Sequence, residues 1–257
     1  MITFGSLFAG IGGFDLGFER AGMVCKWQVE IDDYATKVLE KHWPDVHRER
    51  DIRSCGKHNL ERVDIICGGF PCQDISYAGL GAGLDGERSG LFYEAIRVVR
   101  ELQPKVVVLE NVAALLTRGL DRVLGTLASI GFDAEWHCIP AAYVGAPHIR
   151  DRIFILGFSN EVSHTEMQQW ESKPSGKGFT PNSNCEGLEK WQGKDSDGAR
   201  AICGTEFGRS QWWESEPNVG RVAYGVSRRV DRLRGLGNAI VPQVAEWIGR
   251  QIVGALK

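Results

Sequence analysis

No stretch of this chain approaches the roughly 18 uninterrupted apolar residues that a membrane span needs. Its amino terminus, Met1 to Leu7, also lacks the basic start and small-residue cleavage pattern of a signal peptide. The expectation is a cytoplasmic protein with no membrane partner. Paired Cys-x-x-Cys spacing is missing as well. The seven cysteines are an odd number, so neither a disulfide framework nor a structural zinc site is supported, and reduced thiols and no metal are expected. Internal repeats and low-complexity tracts are absent, and with a formal charge of −3 there is no general basic excess of the kind that advertises nucleic-acid binding. The charge is uneven, however. Residues 1 to 147 hold 15 Lys+Arg against 20 Asp+Glu, whereas Arg221 to Arg234 carries five arginines and one acid, Asp231. A local stripe of that kind suits phosphate neutralisation, although a solvated helix face or loop is the other reading.

What is present is an alternation. Ile2 to Leu7 reads as a strand, followed by a Gly-rich turn and a helix with Phe14, Phe18 and Ala21 on one face. Val24 to Val29 reads as a second strand, Asp33 to about Trp43 as a helix, and Val63 to Cys67 as a buried parallel strand. Phe92, Ile96 and Val99 mark a helix that Pro104 ends, and Lys105 to Leu109 is another buried strand. Leu120, Val123, Leu124, Leu127 and Ile130 give a further helix. Ala134 to Ile139 and Ile153 to Gly157 close the sheet, and Val241, Val244, Ala245, Ile248 and Ile252 supply a returning helical stripe. Such alternation implies βαβ units and an α/β, doubly wound sheet. From about residue 158 the texture changes. The chain becomes rich in Ser, Asn, Gly, Lys and Glu yet keeps four of its eight tryptophans, at 170, 191, 212 and 213. A plain linker would not carry tryptophan, so 158–220 reads as a small loop-rich lobe, with a partly disordered loop as the alternative.

Three sites carry chemistry. The turn Phe8-Ala9-Gly10-Ile11-Gly12-Gly13 follows the first strand, and Glu30 ends the second. Glycines there allow close backbone approach to a nucleotide, and a carboxylate at that distance can accept from both ribose hydroxyls. The dinucleotide fingerprint is broken by Asp15, which weakens a pyrophosphate reading and makes S-adenosylmethionine the natural candidate among adenosine cofactors. Asp51, beside Ile52, is suited to an adenine amino group, or else is a solvated turn acid. The second site pairs Cys72, in Gly-Gly-Phe-Pro-Cys-Gln at 68 to 73, with Glu110 at the end of its own strand. An arbitrary cysteine is more often a small buried hydrophobe. Here two adjacent strand ends bring thiol and carboxyl into one cleft, where burial can keep the carboxyl protonated. The third is Arg150-Asp151-Arg152, whose arginines, two apart on a strand, would share a face and hold a phosphate or a ring carbonyl.

Taken with Glu-Asn-Val at 110 to 112 and Gly-Asn-Ala-Ile-Val-Pro at 237 to 242, these motifs agree in order and spacing with one family. The sequence resembles the DNA cytosine-5 methyltransferases of bacterial and phage restriction-modification systems. The resemblance covers residues 1 to 157 and 221 to 257. It departs at His148, where the family usually carries Gln, and in a short recognition lobe at 158–220. It implies a Rossmann-like, S-adenosylmethionine-dependent fold with a mixed sheet, acting on double-stranded DNA, expected as a monomer. For catalysis it implies Cys72, Glu110, Arg150 and Arg152. For the cofactor it implies Phe8, Ala9, Gly10, Gly12, Gly13, Glu30, Ile31, Asp51, Ile52, Pro71, Leu91 and Asn238. The target base would be flipped out of the stack, and the glycine-bearing segment 74–89 would close over it. Two alternatives stay open: a tRNA cytosine methyltransferase on the same scaffold, and a non-catalytic module binding S-adenosylmethionine and DNA. A cysteine hydrolase is disfavoured, because no histidine near Cys72 is an obvious base.

Overall fold

The structure is a computed structural model that describes residues 1–71, 90–146, 148–160, 162 and 235–256. Cys72, the 74–89 segment, the expected lobe beyond residue 162 and the Arg221–Arg234 stripe lie outside the described residues.

Seven strands form one sheet: β1 (Thr3–Leu7), β2 (Val24–Val29), β3 (His47–Glu49), β4 (Ile65–Gly69), β5 (Val106–Val112), β6 (Phe132–Pro140) and β7 (Asp151–Ser159). Among the described residues, α1 (Gly13–Arg20), α2 (Asp33–His42), α3 (Gly90–Leu102), α4 (Leu120–Ser129) and α5 (Pro242–Ala255) accompany them. The strand order is β3-β2-β1-β4-β5-β7-β6. All neighbours pair in parallel except β7, which runs antiparallel to both β5 and β6. The doubly wound sheet read from the alternation is therefore the observed one, and it is mixed, as the resemblance implied.

Two apolar layers cover the sheet, and the period-two alternation of the central strands explains both. Ile66, Val107, Leu109 and Ile155 face a core that includes Phe92, Ala95, Ile96 and Val99 of α3 and Val123 and Leu127 of α4. Ile65, Cys67, Val106, Val108 and Leu156 face the other, with Phe14 and Phe18 of α1 and Val244, Ala245, Ile248 and Ile252 of α5. The helical stripe expected at the carboxyl end thus packs beside α1. Their contact is close: a Cβ on Gly17 would lie 2.5 Å from Ala245 Cβ and 2.5 Å from Pro242 O.

β4 begins two residues later than Val63, where the apolar run starts. Asp64 instead accepts hydrogen bonds from Thr3 N and Thr3 Oγ1, both at 2.9 Å, tying the strand entrance to β1. Gly68 and Gly69 are the last strand residues. A Cβ on Gly68 would meet Leu7 O at 2.6 Å, so the absence of side chains lets β1 and β4 approach. Of the described cysteines, Cys25, Cys55 and Cys67 are free. Cys138 is disulfide-bonded, against the expectation of reduced thiols throughout.

A polar chain runs through one half of the sheet. Arg48 on β3 donates to Gln28 Oε1 (3.1 and 2.8 Å), and Gln28 Nε2 on β2 donates to Asp15 Oδ1 (2.8 Å) in the first turn of α1. Asp15 also accepts from Ser6 Oγ on β1 (3.2 Å) and from the Cys25 thiol (3.5 Å). Asp15 and Gln28 are fully buried. The residue that breaks the dinucleotide fingerprint is thus a core residue, and burial raises its carboxyl above the ordinary range against the opposing hydrogen bonds.

No helix among the described residues is long and apolar enough to cross a membrane.

Candidate active site

The strand order reverses between β1 and β4, and open α/β sheets bind ligands outside the carboxyl ends of strands at such a point. The cleft found there has a volume of about 380 Å³, within the roughly 300–1,000 Å³ of small-molecule sites.

One end is the turn after β1. Phe8 takes the left-handed backbone (φ 51), a conformation that costs a non-glycine residue on the order of 1 kcal/mol. Gly10 (φ 58) and Gly12 (φ 87) take it without a side chain to strain. The Glu30 carboxylate fixes this turn: Oε2 accepts from Gly10 N (2.7 Å) and Oε1 from Asp32 N (2.8 Å). Phe8, Gly10, Glu30 and Ile31 line the cleft, and Ile31 is 61% exposed, so it forms an apolar lip. Ala9, Gly12 and Gly13 shape the turn from behind. Gly12 is covered by Trp43, and Gly13 abuts Ile240 O, which a Cβ would approach to 2.5 Å.

Asp51 and Ile52 stand on the adjoining wall, at the start of a 3-10 turn Ile52–Ser54. Asp51 Oδ1 accepts from Arg53 Nε (3.0 Å) and Arg53 N (3.0 Å), and these hydrogen bonds hold its carboxyl below the ordinary range. Arg97 of α3 fastens this turn from below, donating to Ile52 O (3.0 Å) and Cys55 O (2.9 Å). Pro71, Leu91 and Asn238 complete the expected set, all in the wall. Arg50 and Arg53 line the cleft too, and nothing in the spacing pointed to them. Gly69, Phe70 and Gly237 also contribute, and these lay inside the quoted motifs.

The other end is a charged pair. Arg152 stands opposite Val112 in the β5–β7 ladder, one pleat from Glu110, so their side chains emerge on the same face. Arg152 Nε meets Glu110 Oε1 at 2.9 Å. Burial pushes the Glu110 carboxyl up, the guanidiniums of Arg152 and Arg150 and the Arg152 hydrogen bond pull it down, and the balance stands at about 7. Such a group can hold or release a proton near neutrality. Gly69 is its partner across β4 and β5, and a Cβ there would sit 2.7 Å from Glu110 Oε2. The neighbouring Asn111 is buried and donates to Phe70 O (3.3 Å), tying the segment that leads to Pro71 onto β5. Cys72, the expected partner of Glu110, lies outside the described residues, and Pro71 immediately before it is in the cleft wall.

Arg150 lies outside the regular strand on which the shared face was expected. Arg150 precedes β7 and has φ 41, which breaks the strand alternation, and its Nη2 donates to Gly237 O (2.8 Å) and Ala239 O (2.5 Å). His148 is exposed.

Residues 2–206 match the model of a family described as C-5 cytosine-specific DNA methylase. The Type II methyltransferase M.HhaI of Haemophilus parahaemolyticus is 34% identical over 65% of this chain and 52% of its own length. The Type II methyltransferase M.NgoMIV of Neisseria gonorrhoeae is 28% identical over 97% of this chain and 96% of its own. The chain spans about half the length of the first curated relatives it matches, 44% and 52%. In fold it is similar to the S. pombe Dnmt2 methyltransferase, with a TM-score of 0.54 at 17% identity over 68% of this chain and 57% of that one.

Proposed function

This chain belongs to the C-5 cytosine-specific DNA methylase family, and from that premise we propose that it transfers a methyl group from S-adenosylmethionine to carbon 5 of a flipped cytosine in duplex DNA. One observation carries the reading. A single cleft presents a glycine turn with Glu30 and Asp51 at one end and the buried Glu110–Arg152 pair at the other, with the chain entering Cys72 along its wall.

The residues fit the cofactor. Glu30 sits at the end of β2 with one carboxylate edge held by backbone amides and the group itself in the cleft lining, suited to ribose hydroxyls. Asp51 offers an acceptor for an adenine amino group, and Ile31 an apolar surface for its ring. Phe8, Gly10, Ile52, Pro71, Leu91 and Asn238 would enclose the remainder. Ala9, Gly12 and Gly13 would hold the turn in shape. S-adenosylmethionine, when bound, supplies the methyl group as an electrophile.

This chain's own residues make cytosine reactive. The Cys72 thiolate bonds to carbon 6 of the ring, and the electron pair displaced from the double bond flows toward ring nitrogen 3, where Glu110 holds a proton. Carbon 5 thereby gains the enamine character it lacks in free cytosine. Arg152 orients the Glu110 carboxyl, and its remaining donors face the ring carbonyl. After transfer a base removes the carbon 5 proton, the carbon–sulfur bond breaks, and the double bond re-forms with thiolate as leaving group. Extrusion of the base from the stack costs a few kcal/mol. Residues 1–157 with 221–257 form the catalytic and cofactor-binding unit in this reading, and 158–220 the lobe that selects the sequence. The protein acts as a cytoplasmic monomer.

Incubation with duplex DNA and S-adenosylmethionine, followed by bisulfite sequencing, tests the reaction. New 5-methylcytosine at a recurring sequence is expected. Methylation of tRNA but not of DNA would replace the substrate, and no transfer to either would overturn the enzyme. DNA carrying 5-fluorocytosine tests the adduct. Its fluorine cannot leave as a proton, so a denaturant-resistant protein–DNA complex should accumulate.

A further inference from the structure

The segment 235–240 closes the cofactor cleft without belonging to the sheet. Gly235, Gly237 and Asn238 line the cleft. Behind them the segment leans on the glycine turn: Ile240 O lies 2.5 Å from where a Gly13 Cβ would be, and Gly235 faces Ile11 and Tyr34. From the opposite side comes Arg150. Its Nη2 reaches 87 and 89 residues along the chain to donate to Gly237 O and Ala239 O, the carbonyls on either side of Asn238. Arg150 has a left-handed backbone (φ 41) just before β7 and makes these two bonds, while Arg152 is engaged with Glu110. One terminal nitrogen thus spends both hydrogens on two carbonyls flanking a single cleft residue.

From this geometry we infer that Arg150 is a positioning residue of the cofactor cleft, a clasp that holds Gly237–Ala239 so that Asn238 faces the ligand. It acts through the segment it holds and does not touch the target base. The inference rests on the proposed cofactor, so the test has one arm that needs none.

In the ligand-free protein, R150A should make the amides of residues 236–241 exchange hydrogen at least about tenfold faster while those of β5 keep their rate. Unchanged exchange in 236–241 would overturn the clasp. With S-adenosylmethionine as the probe, calorimetry should show the dissociation constant of R150A raised by roughly tenfold, the size of one lost charge-assisted hydrogen bond. R150K should fall between R150A and wild type, and it serves as the test should R150A fail to fold. A double-mutant cycle with N238A should be non-additive, because both changes act on one contact. Additive effects, or an unchanged dissociation constant with turnover lost at saturating cofactor, would assign Arg150 to the base and overturn the inference. Should wild-type protein bind no S-adenosylmethionine, the reading of the cleft fails, and the exchange measurement still decides the clasp.

Discussion

Glu110→Gln should flatten the dependence of stability on pH, by an amount that follows from the site. The carboxyl is buried and its folded-state pKa is raised from the ordinary 4.5 to about 7. Raised means that the folded protein binds the proton more tightly than the unfolded chain, so the group's contribution to stability is fully present below about 4.5 and is lost as pH rises through about 7. From pH 5 to pH 8.5 the shift corresponds to a loss on the order of 2–3 kcal/mol. Glutamine is the neutral isostere and cannot ionise, and its amide can turn the oxygen toward Arg152 Nε where Oε1 now sits at 2.9 Å. At pH 5 the variant and the wild type should differ little, and at pH 8.5 the variant should be the more stable by about 2 kcal/mol. Urea titrations at both pH values read the difference from the midpoints at constant slope. Parallel curves for the two proteins across that window would refute the argument, because they would mean that Glu110 already ionises in its ordinary range.

Cys72→Ser should abolish methylation while cofactor affinity is kept, since a hydroxyl does not add to carbon 6, and normal turnover would sink covalent catalysis. Glu30→Ala should weaken S-adenosylmethionine binding by about 1.5–3 kcal/mol, since the variant also strands the amides of Gly10 and Asp32. An unchanged calorimetric dissociation constant removes Glu30 from the site. Gly17→Ala should cost about 1–3 kcal/mol by overpacking, because its Cβ would lie 2.5 Å from Ala245 Cβ. A urea midpoint equal to wild type would show that α1 and α5 can move apart freely. Exchanging residues 158–220 for the corresponding lobe of a relative should change the methylated sequence, and an active chimera that keeps the original sites contradicts the division of labour.

Apolar periodicity made the sheet legible, down to β2 at Val24–Val29, because each central strand alternates between two covered faces. It misplaced β4, because a strand that ends in Gly68 and Gly69 carries no side chains to alternate. The cleft was legible through strand ends: Glu30 directly follows β2, Glu110 lies two residues before the end of β5, and both line it. Arg150 was paired with Arg152 on the premise of a continuous strand, and a left-handed residue before β7 breaks that premise. Asp15 had registered only as an interruption of a glycine pattern. Hydropathy assigns an acid to the surface, and only the three-dimensional meeting of Ser6, Cys25 and Gln28 accounts for its burial. Arg50 and Arg53 left no trace, since two arginines around a turn acid look like solvated charge.

The chain of contacts from Arg48 through Gln28 to Asp15 has a bearing on where the cleft's far wall can stand. β3 is three residues long and lies at the edge of the sheet, with no apolar alternation to say which residue should face which. In the observed pairing Arg48 is the direct partner of Gln28. A slip of one residue would turn Arg48 to the opposite face, leave Gln28 Oε1 without its donor, and move everything downstream by about 3.3 Å. Asp51 follows two residues after the strand ends. A buried acid on α1 therefore serves as the register mark for an edge strand, and through it sets the height at which Asp51 meets whatever enters the cleft.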